Sequence, residues 1–230
     1  MKETELAEAV IAWLEMEHWD VYQEVQMYAY SGVCDIVATK GFLVWTIECK
    51  TSLTWGLIEQ AWLWRAHFRS IAIPRAKART RGRRVAYLTC KNYFKLGIIE
   101  VRQIKTSDDS LMFEVAEEAP APLMREYHEA AKRIKSRLMP EHKTYAKAGS
   151  VRGGYYTPYK YTMSRVKRFI AKNPGCTLKE IMDHIGETHY ASMKSARASI
   201  RNALVTFEKG WCRVDMENKP YRYYLREIEN

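Results

Sequence analysis

The segment Gly32-Val33-Cys34-Asp35-Ile36-Val37-Ala38 is answered by Thr46-Ile47-Glu48-Cys49-Lys50-Thr51, with Glu48 thirteen residues after Asp35. β-Branched and apolar residues dominate both segments, so each reads as a strand. Lys40-Gly41 between them is a hairpin-type turn dipeptide. A carboxylate inside an apolar strand costs several kcal/mol unless it faces a polar site. On paired strands joined by a tight turn, Asp35 and Glu48 project into one cleft. Side chains alternate along a strand, so Glu48 and Lys50 share a face and Cys49 turns away. Two carboxylates on rigid strands suit Mg²⁺, which prefers oxygen ligands and keeps several waters.

Upstream, Leu6, Val10, Trp13 and Leu14 repeat at helical spacing and predict a helix over residues 5–19. Residues 21–50 then form three strand-like bursts broken at Ser31-Gly32 and Lys40-Gly41, an antiparallel meander. Ser52 and Thr54 offer N-caps for a second helix reaching about residue 68. Trp55, Ile58, Ala61, Trp62 and Arg65 share one of its faces, and Gln60, Trp64 and His67 lie on another. Trp55, Trp62 and Trp64 are expected in the core. Short strands follow at 70–73, 85–90, 98–102 and 111–115.

With its order of helix, three-strand meander, helix and strands, the constellation Asp35 and Glu48-Cys49-Lys50 resembles the PD-(D/E)XK nuclease superfamily. Cys34 stands where the family name has its proline. The resemblance covers roughly residues 3–90. It implies an α/β restriction-endonuclease-like core and hydrolysis of DNA phosphodiesters. The implied ion is Mg²⁺, with Mn²⁺ able to substitute, held by Asp35 and Glu48, while Lys50 orients the attacking water. The acids of the first helix and the Asp35-to-Glu48 spacing look most like archaeal-type Holliday-junction resolvases, in which a glutamate of that helix completes the metal site. Glu8 is the best match and Glu5 the alternative. Gln60, ten residues after Lys50, resembles the glutamine that RecB-like members carry on the following helix.

The formal net charge of +10 is unevenly spread. Residues 1–64 carry ten Asp or Glu against three Lys or Arg, whereas residues 65–91 carry nine Lys or Arg and no acid. Arg75, Lys77, Arg79, Arg81, Arg83 and Arg84 are therefore expected to follow a phosphate backbone by counterion release, without reading sequence.

Pro120 and Pro122 mark a break that closes the nuclease domain at about residue 118. Residues 119–160 read as a connector: a basic amphipathic helix over 123–138, then a flexible loop of basic and aromatic residues between glycines. Residues 161–230 have their own pattern. Helices are predicted over 164–172, 178–185 (with Thr177 and Glu180 at capping-box spacing) and 191–208, and a hairpin over 211–215 and 221–225. Three helices and a hairpin in that order resemble a winged-helix domain, which implies binding to duplex DNA through the third helix. Ala196, Ile200, Ala203, Leu204 and Phe207 turn inward on that helix, so Lys194, Arg197 and Arg201 face out. Lys219, Arg222 and Tyr223 of the hairpin extend the same surface.

Several classes are disfavoured. The longest apolar runs, such as 42–47, are far shorter than the ~20 residues of a membrane span. The start Met1-Lys2-Glu3-Thr4-Glu5 is unlike a secretory leader, so a cytoplasmic protein is expected, at the nucleoid or in the nucleus if eukaryotic. Five scattered cysteines without a CxxC pair argue against disulfides and structural zinc. The expected partner is DNA, double-stranded or branched, and cutting both strands would favour a two-fold homodimer. The competing reading keeps the nuclease fold as a DNA-binding platform or as an inhibitor of another nuclease. RNA is the remaining alternative substrate.

Overall fold

The computed structural model describes residues 1–26, 32–78, 80–106, 110–149, 155–186, 190, 192–217 and 219–226. Ser31, Arg79, residues 150–154 of the expected flexible loop, Ala191 and Asn218 lie outside that set. The chain forms two compact units, Met1–Tyr156 and Thr157–Asn230. The first is an α/β unit, and it runs well past the boundary at 118 read from the sequence. Among the described residues no helix is long and apolar enough to cross a membrane.

The first unit opens with α1 (Glu3–Met16), whose backbone start is capped by Glu5 accepting from the Lys2 amide. Next come β1 (Asp20–Gln26), β2 (Val33–Lys40) and β3 (Leu43–Cys49), the expected antiparallel meander, with Gly41 at φ 58 in the β2–β3 turn. Then follow α2 (Trp55–Leu63), β4 (Phe68–Pro74), α3 (Arg81–Thr89), a π-turn (Cys90–Phe94), β5 (Gly97–Lys105), β6 (Leu111–Ala119) and α4 (His128–Lys135). The six strands form one mixed sheet in sequence order, β4 parallel to both β3 and β5, and β6 antiparallel at the edge.

Helices cover both faces because both are apolar. On one face Leu6, Val10 and Leu14 of α1 pack on Ile36, Ala38, Trp45 and Ile47. On the other, Ala131 and Ile134 of α4 meet Val25, Val37, Val44 and Trp64, and α2 buries Leu57, Ile58 and Ala61 against Ile71, Ile73 and Ile98. The 123–138 segment is thus part of this core rather than a connector. Its α-helix is shorter than expected, preceded by a 3-10 turn at Arg125–Tyr127. Ala148 is also buried, in the core beneath α1.

Two element assignments change. Residues 85–90, expected as a strand, lie in α3 and the π-turn. Thr80 caps α3 by accepting from the Arg83 amide at 3.2 Å, and none of its residues is buried, so no sheet partner was there to exploit Val85 and Tyr87. The second helix stops at Leu63 instead of about 68. Arg69 takes the carbonyls of Trp62 (2.7 Å) and Trp64 (3.4 Å), satisfying the helix end, and the chain turns directly into β4.

The second unit comprises α5 (Pro158–Lys172), β7 (Cys176–Thr177), α6 (Leu178–Ile185), α7 (Met193–Thr206), β8 (Cys212–Asp215) and β9 (Arg222–Leu225), the strands ordered β7-β9-β8. The Thr177–Glu180 capping box forms. Ala196, Ile200, Ala203 and Leu204 are buried as expected, but Phe207, read as inward, is 75% exposed because it sits at the C-cap, where the helix face is lost.

Candidate active site

The β2–β3 ladder ends at Ile36↔Ile47, so Asp35 and Glu48 are the first residues beyond the paired register. Where the ladder stops, the Cys49 amide loses its strand partner, and Asp35 Oδ2 accepts it at 2.8 Å. Glu48 is almost wholly buried, and its Oε1 accepts from the indole N–H of Trp64 at 2.5 Å. The two carboxyls lie close enough to influence each other's ionisation. Burial pushes both above the usual carboxylate range, and Glu48 more strongly, since Asp35 adds like charge beside it. The arrangement favours holding a proton in the pair.

Lys50 follows at the end of β3 and is half-buried, its backbone amide tied to the Ala72 carbonyl of β4. Its Nζ lies 3.9 Å from Glu3 Oε1. Glu3, in the first turn of α1, is raised by burial, and the nearby Lys50 opposes that rise. The acid of the first helix that reaches the site is therefore Glu3. Glu8 points elsewhere and pairs with Lys147 at 2.7 Å on an exposed surface, and Glu5 is spent on the α1 cap. Gln60 lies on the exposed side of α2 and makes no hydrogen bond to Asp35, Glu48 or Lys50.

Three contributors escaped the sequence reading. Trp64 stands just past α2, held by the buried Arg69, whose guanidinium also donates to the Phe94 carbonyl at 3.1 Å and lies 5.3 Å from the Tyr127 ring. A lone arginine inside the strand-like Phe68-Arg69-Ser70-Ile71-Ala72-Ile73 was the available signal. Glu24, on the strand beside Asp35, is also a buried carboxylate. Its neighbours Gln23 and Val25 pair with Ile36 and Cys34, which flank Asp35. Its φ of 49 is left-handed, and its Oε1 accepts the Gly149 amide at 3.0 Å, a pairing too distant in sequence to foresee.

The donor set suits a hard cation that retains water: two rigid carboxylates drawn together with Lys50 beside them. Among the described residues no three His, Cys, Asp or Glu side chains converge into a cage, so an ion here would rely on water and backbone oxygens for its remaining positions.

The basic run divides into two roles. Arg83 donates to Glu100 (3.2 Å) and to the Pro74 carbonyl (2.9 Å), and Arg75 lies 3.8 Å from the same buried carboxylate. Those two hold the fold. Arg81, Arg84 and Lys91, spaced three and seven residues apart on the α3 side, line the same cleft of about 810 Å³ without a carboxylate partner among the described residues. Lys77 is exposed.

In the second unit Lys194, Arg197 and Arg201 of α7 line one groove with Lys179 and Lys219. Arg222 is not brought there, because it donates to the Gly175 carbonyl at 3.0 Å. Tyr223 is fully buried in the core rather than presented on a wing.

No family model and no curated protein matches the chain. Among solved structures, a protein of unknown function from Silicibacter pomeroyi aligns with 59% of this chain and 86% of its own, at 13% identity and a TM-score of 0.37. A likeness that distant carries no argument about fold or activity.

Proposed function

We propose that the first unit is a divalent-metal-dependent deoxyribonuclease of the PD-(D/E)XK kind, an endonuclease, and that the second is a winged-helix domain that selects its DNA. The observation that carries the reading is the Asp35–Glu48 pair, with Glu48 buried and Asp35 half-buried beside it. Desolvating two adjacent carboxylates weakens a fold, and a chain that only needed a core would have apolar residues there. Asp35 and Glu48 would hold Mg²⁺ or Mn²⁺, whose charge would offset their mutual repulsion. The bound ion supplies charge neutralisation at the scissile phosphate and a water of lowered pKa. The protein's own part is to orient. The Cys49 amide fixes Asp35, Trp64 fixes one oxygen of Glu48, and Lys50 offers N–H donors to the attacking water and to the developing charge, with Glu3 steadying its ammonium. Arg81, Arg84 and Lys91 offer cations to the substrate backbone.

The reading is tested by incubating the full chain with linear, circular and branched DNA, in Mg²⁺ and in EDTA, beside Asp35→Ala, Glu48→Ala and Lys50→Ala. Metal-dependent cutting by the wild type alone is expected. Cutting of circular DNA identifies an endonuclease. Equal cutting by all four proteins, or DNA binding without cutting under any metal, would reject the assignment and favour a binding platform.

A further inference from the structure

Trp55 and Trp62, expected in the core, are 71% and 48% exposed. They stand seven residues apart on α2, hence on one face, two turns and about 10 Å apart. Phe94 sits edge-on to both, with ring centroids at 6.5 and 6.2 Å, and Tyr93, 82% exposed, packs against Phe94 at 5.7 Å. The base of this cluster is rigid, because Phe94 packs on the core of Leu57, Ile58 and Leu96 and its carbonyl is held by Arg69. Edge-on packing leaves the outer ring faces open to water. A contiguous aromatic surface of this kind marks a binding site, since each exposed ring forfeits burial on the order of 25 cal/mol per Å².

Charge selects the occupant. From Gln60 to Lys95 the chain has ten Lys or Arg and no acid. Lys91 and Lys95 flank Tyr93 and Phe94 and are exposed. Glu59, between the two tryptophans on α2, carries an opposing charge, which the exposed Lys91 and Lys95 outnumber. Duplex DNA could meet the cations but not the rings, because its base faces are already stacked. Unpaired nucleotides supply both a phosphate chain and free π-faces.

We propose that Trp55, Trp62 and Tyr93 form a stacking platform for unpaired nucleotides, so that the substrate of the first unit carries a single-stranded segment. The substrate clause rests on the nuclease reading above. The platform adjoins that site: Trp55 lines a groove with Thr51 and Ser52, which follow Lys50 directly, and Trp62 lies two residues before Trp64.

The test is anisotropy of a labelled oligothymidine of about 12 residues with the full chain in EDTA. The Trp55→Ala, Trp62→Ala, Tyr93→Ala variant should keep its thermal transition and bind at least about tenfold more weakly, whereas Trp55→Phe with Trp62→Phe should retain most affinity. Blunt duplex should bind the alanine variant and wild type alike, and an abasic strand of equal length should bind wild type poorly. Equal affinity of variant and wild type for oligothymidine overturns the proposal, as does equal affinity of wild type for the abasic strand. A wild-type dimer that dissociates in the alanine variant, with strand affinity unchanged, shows that a second copy covers the rings and also overturns it. Base-dependent binding in EDTA without Mg²⁺-dependent cutting removes the nuclease reading and leaves the platform; cutting without base-dependent binding does the reverse.

Discussion

Trp64 donates its indole N–H to Glu48 Oε1 across 2.5 Å, so a residue at the end of α2 fixes one oxygen of the buried carboxylate. A donor to the ionised form lowers a carboxyl pKa, opposing the rise that burial causes. Trp64→Phe should therefore cost the first unit about 1–3 kcal/mol in urea unfolding. The cost should grow as pH rises, because the missing bond served the charged form. A cost independent of pH would mean that only packing had changed.

Glu48→Gln and Asp35→Asn should stabilise the metal-free protein. The folded carboxyls titrate above their unfolded values near 4, so the native state binds more protons and its stability falls as pH rises from about 4 through the raised folded values. Neutral amides escape that loss. A gain on the order of 1 kcal/mol, about 2–4 °C in Tm, is expected at pH 8 and should shrink towards pH 4. Mg²⁺ should raise the wild-type Tm and leave both variants unchanged, and EDTA should reverse the rise.

Glu3→Ala should lower Mg²⁺-dependent cutting at least about tenfold, since Lys50 loses the carboxylate that steadies it. Glu8→Ala should leave both cutting and the unfolding transition essentially unchanged, because its pair with Lys147 is exposed to solvent. The opposite ranking in a rate assay would return the role to Glu8.

Arg81→Ala with Arg84→Ala should weaken binding to all DNA sequences alike and flatten the salt dependence by up to ~0.9 for each phosphate no longer neutralised. Arg83→Ala should instead show itself in unfolding experiments, because it strips a partner from the buried Glu100. Equal salt slopes for all three proteins would count against α3 as a phosphate rail.

A fragment of residues 157–230 has its own core and should fold alone and bind duplex DNA. Lys194→Ala, Arg197→Ala and Arg201→Ala together should abolish that binding, while Arg222→Ala should not, since its guanidinium is engaged with Gly175. A folded fragment with no DNA affinity at low salt would point to a protein partner.

Local rules read from the sequence set much of this molecule. Alternation and the Lys40-Gly41 turn define β2 and β3 and bring Asp35, Glu48 and Lys50 to one end of a hairpin, because strand period and turn length act over a few residues. The Thr177–Glu180 box and the apolar stripe of α7 define the second unit's helices for the same reason. Pairings between distant segments were decided only by the tertiary structure. Glu3 is in phase with the buried Leu6, Val10 and Leu14 of α1 and Glu8 is not, but that Glu3 meets Lys50 depends on where the start of the helix lies over the sheet. Trp64 becomes a partner of Glu48 because Arg69 ends α2 one turn early. Val85 and Tyr87 favour a strand locally, yet with no free sheet edge beside them their amides close a helix capped by Thr80. Residues 123–138 look like an amphipathic connector until Val37 and Val44 supply the apolar face that Ala131 and Ile134 need. Hydrophobic burial has no direction of its own, so the surface that a segment covers is fixed by the whole fold.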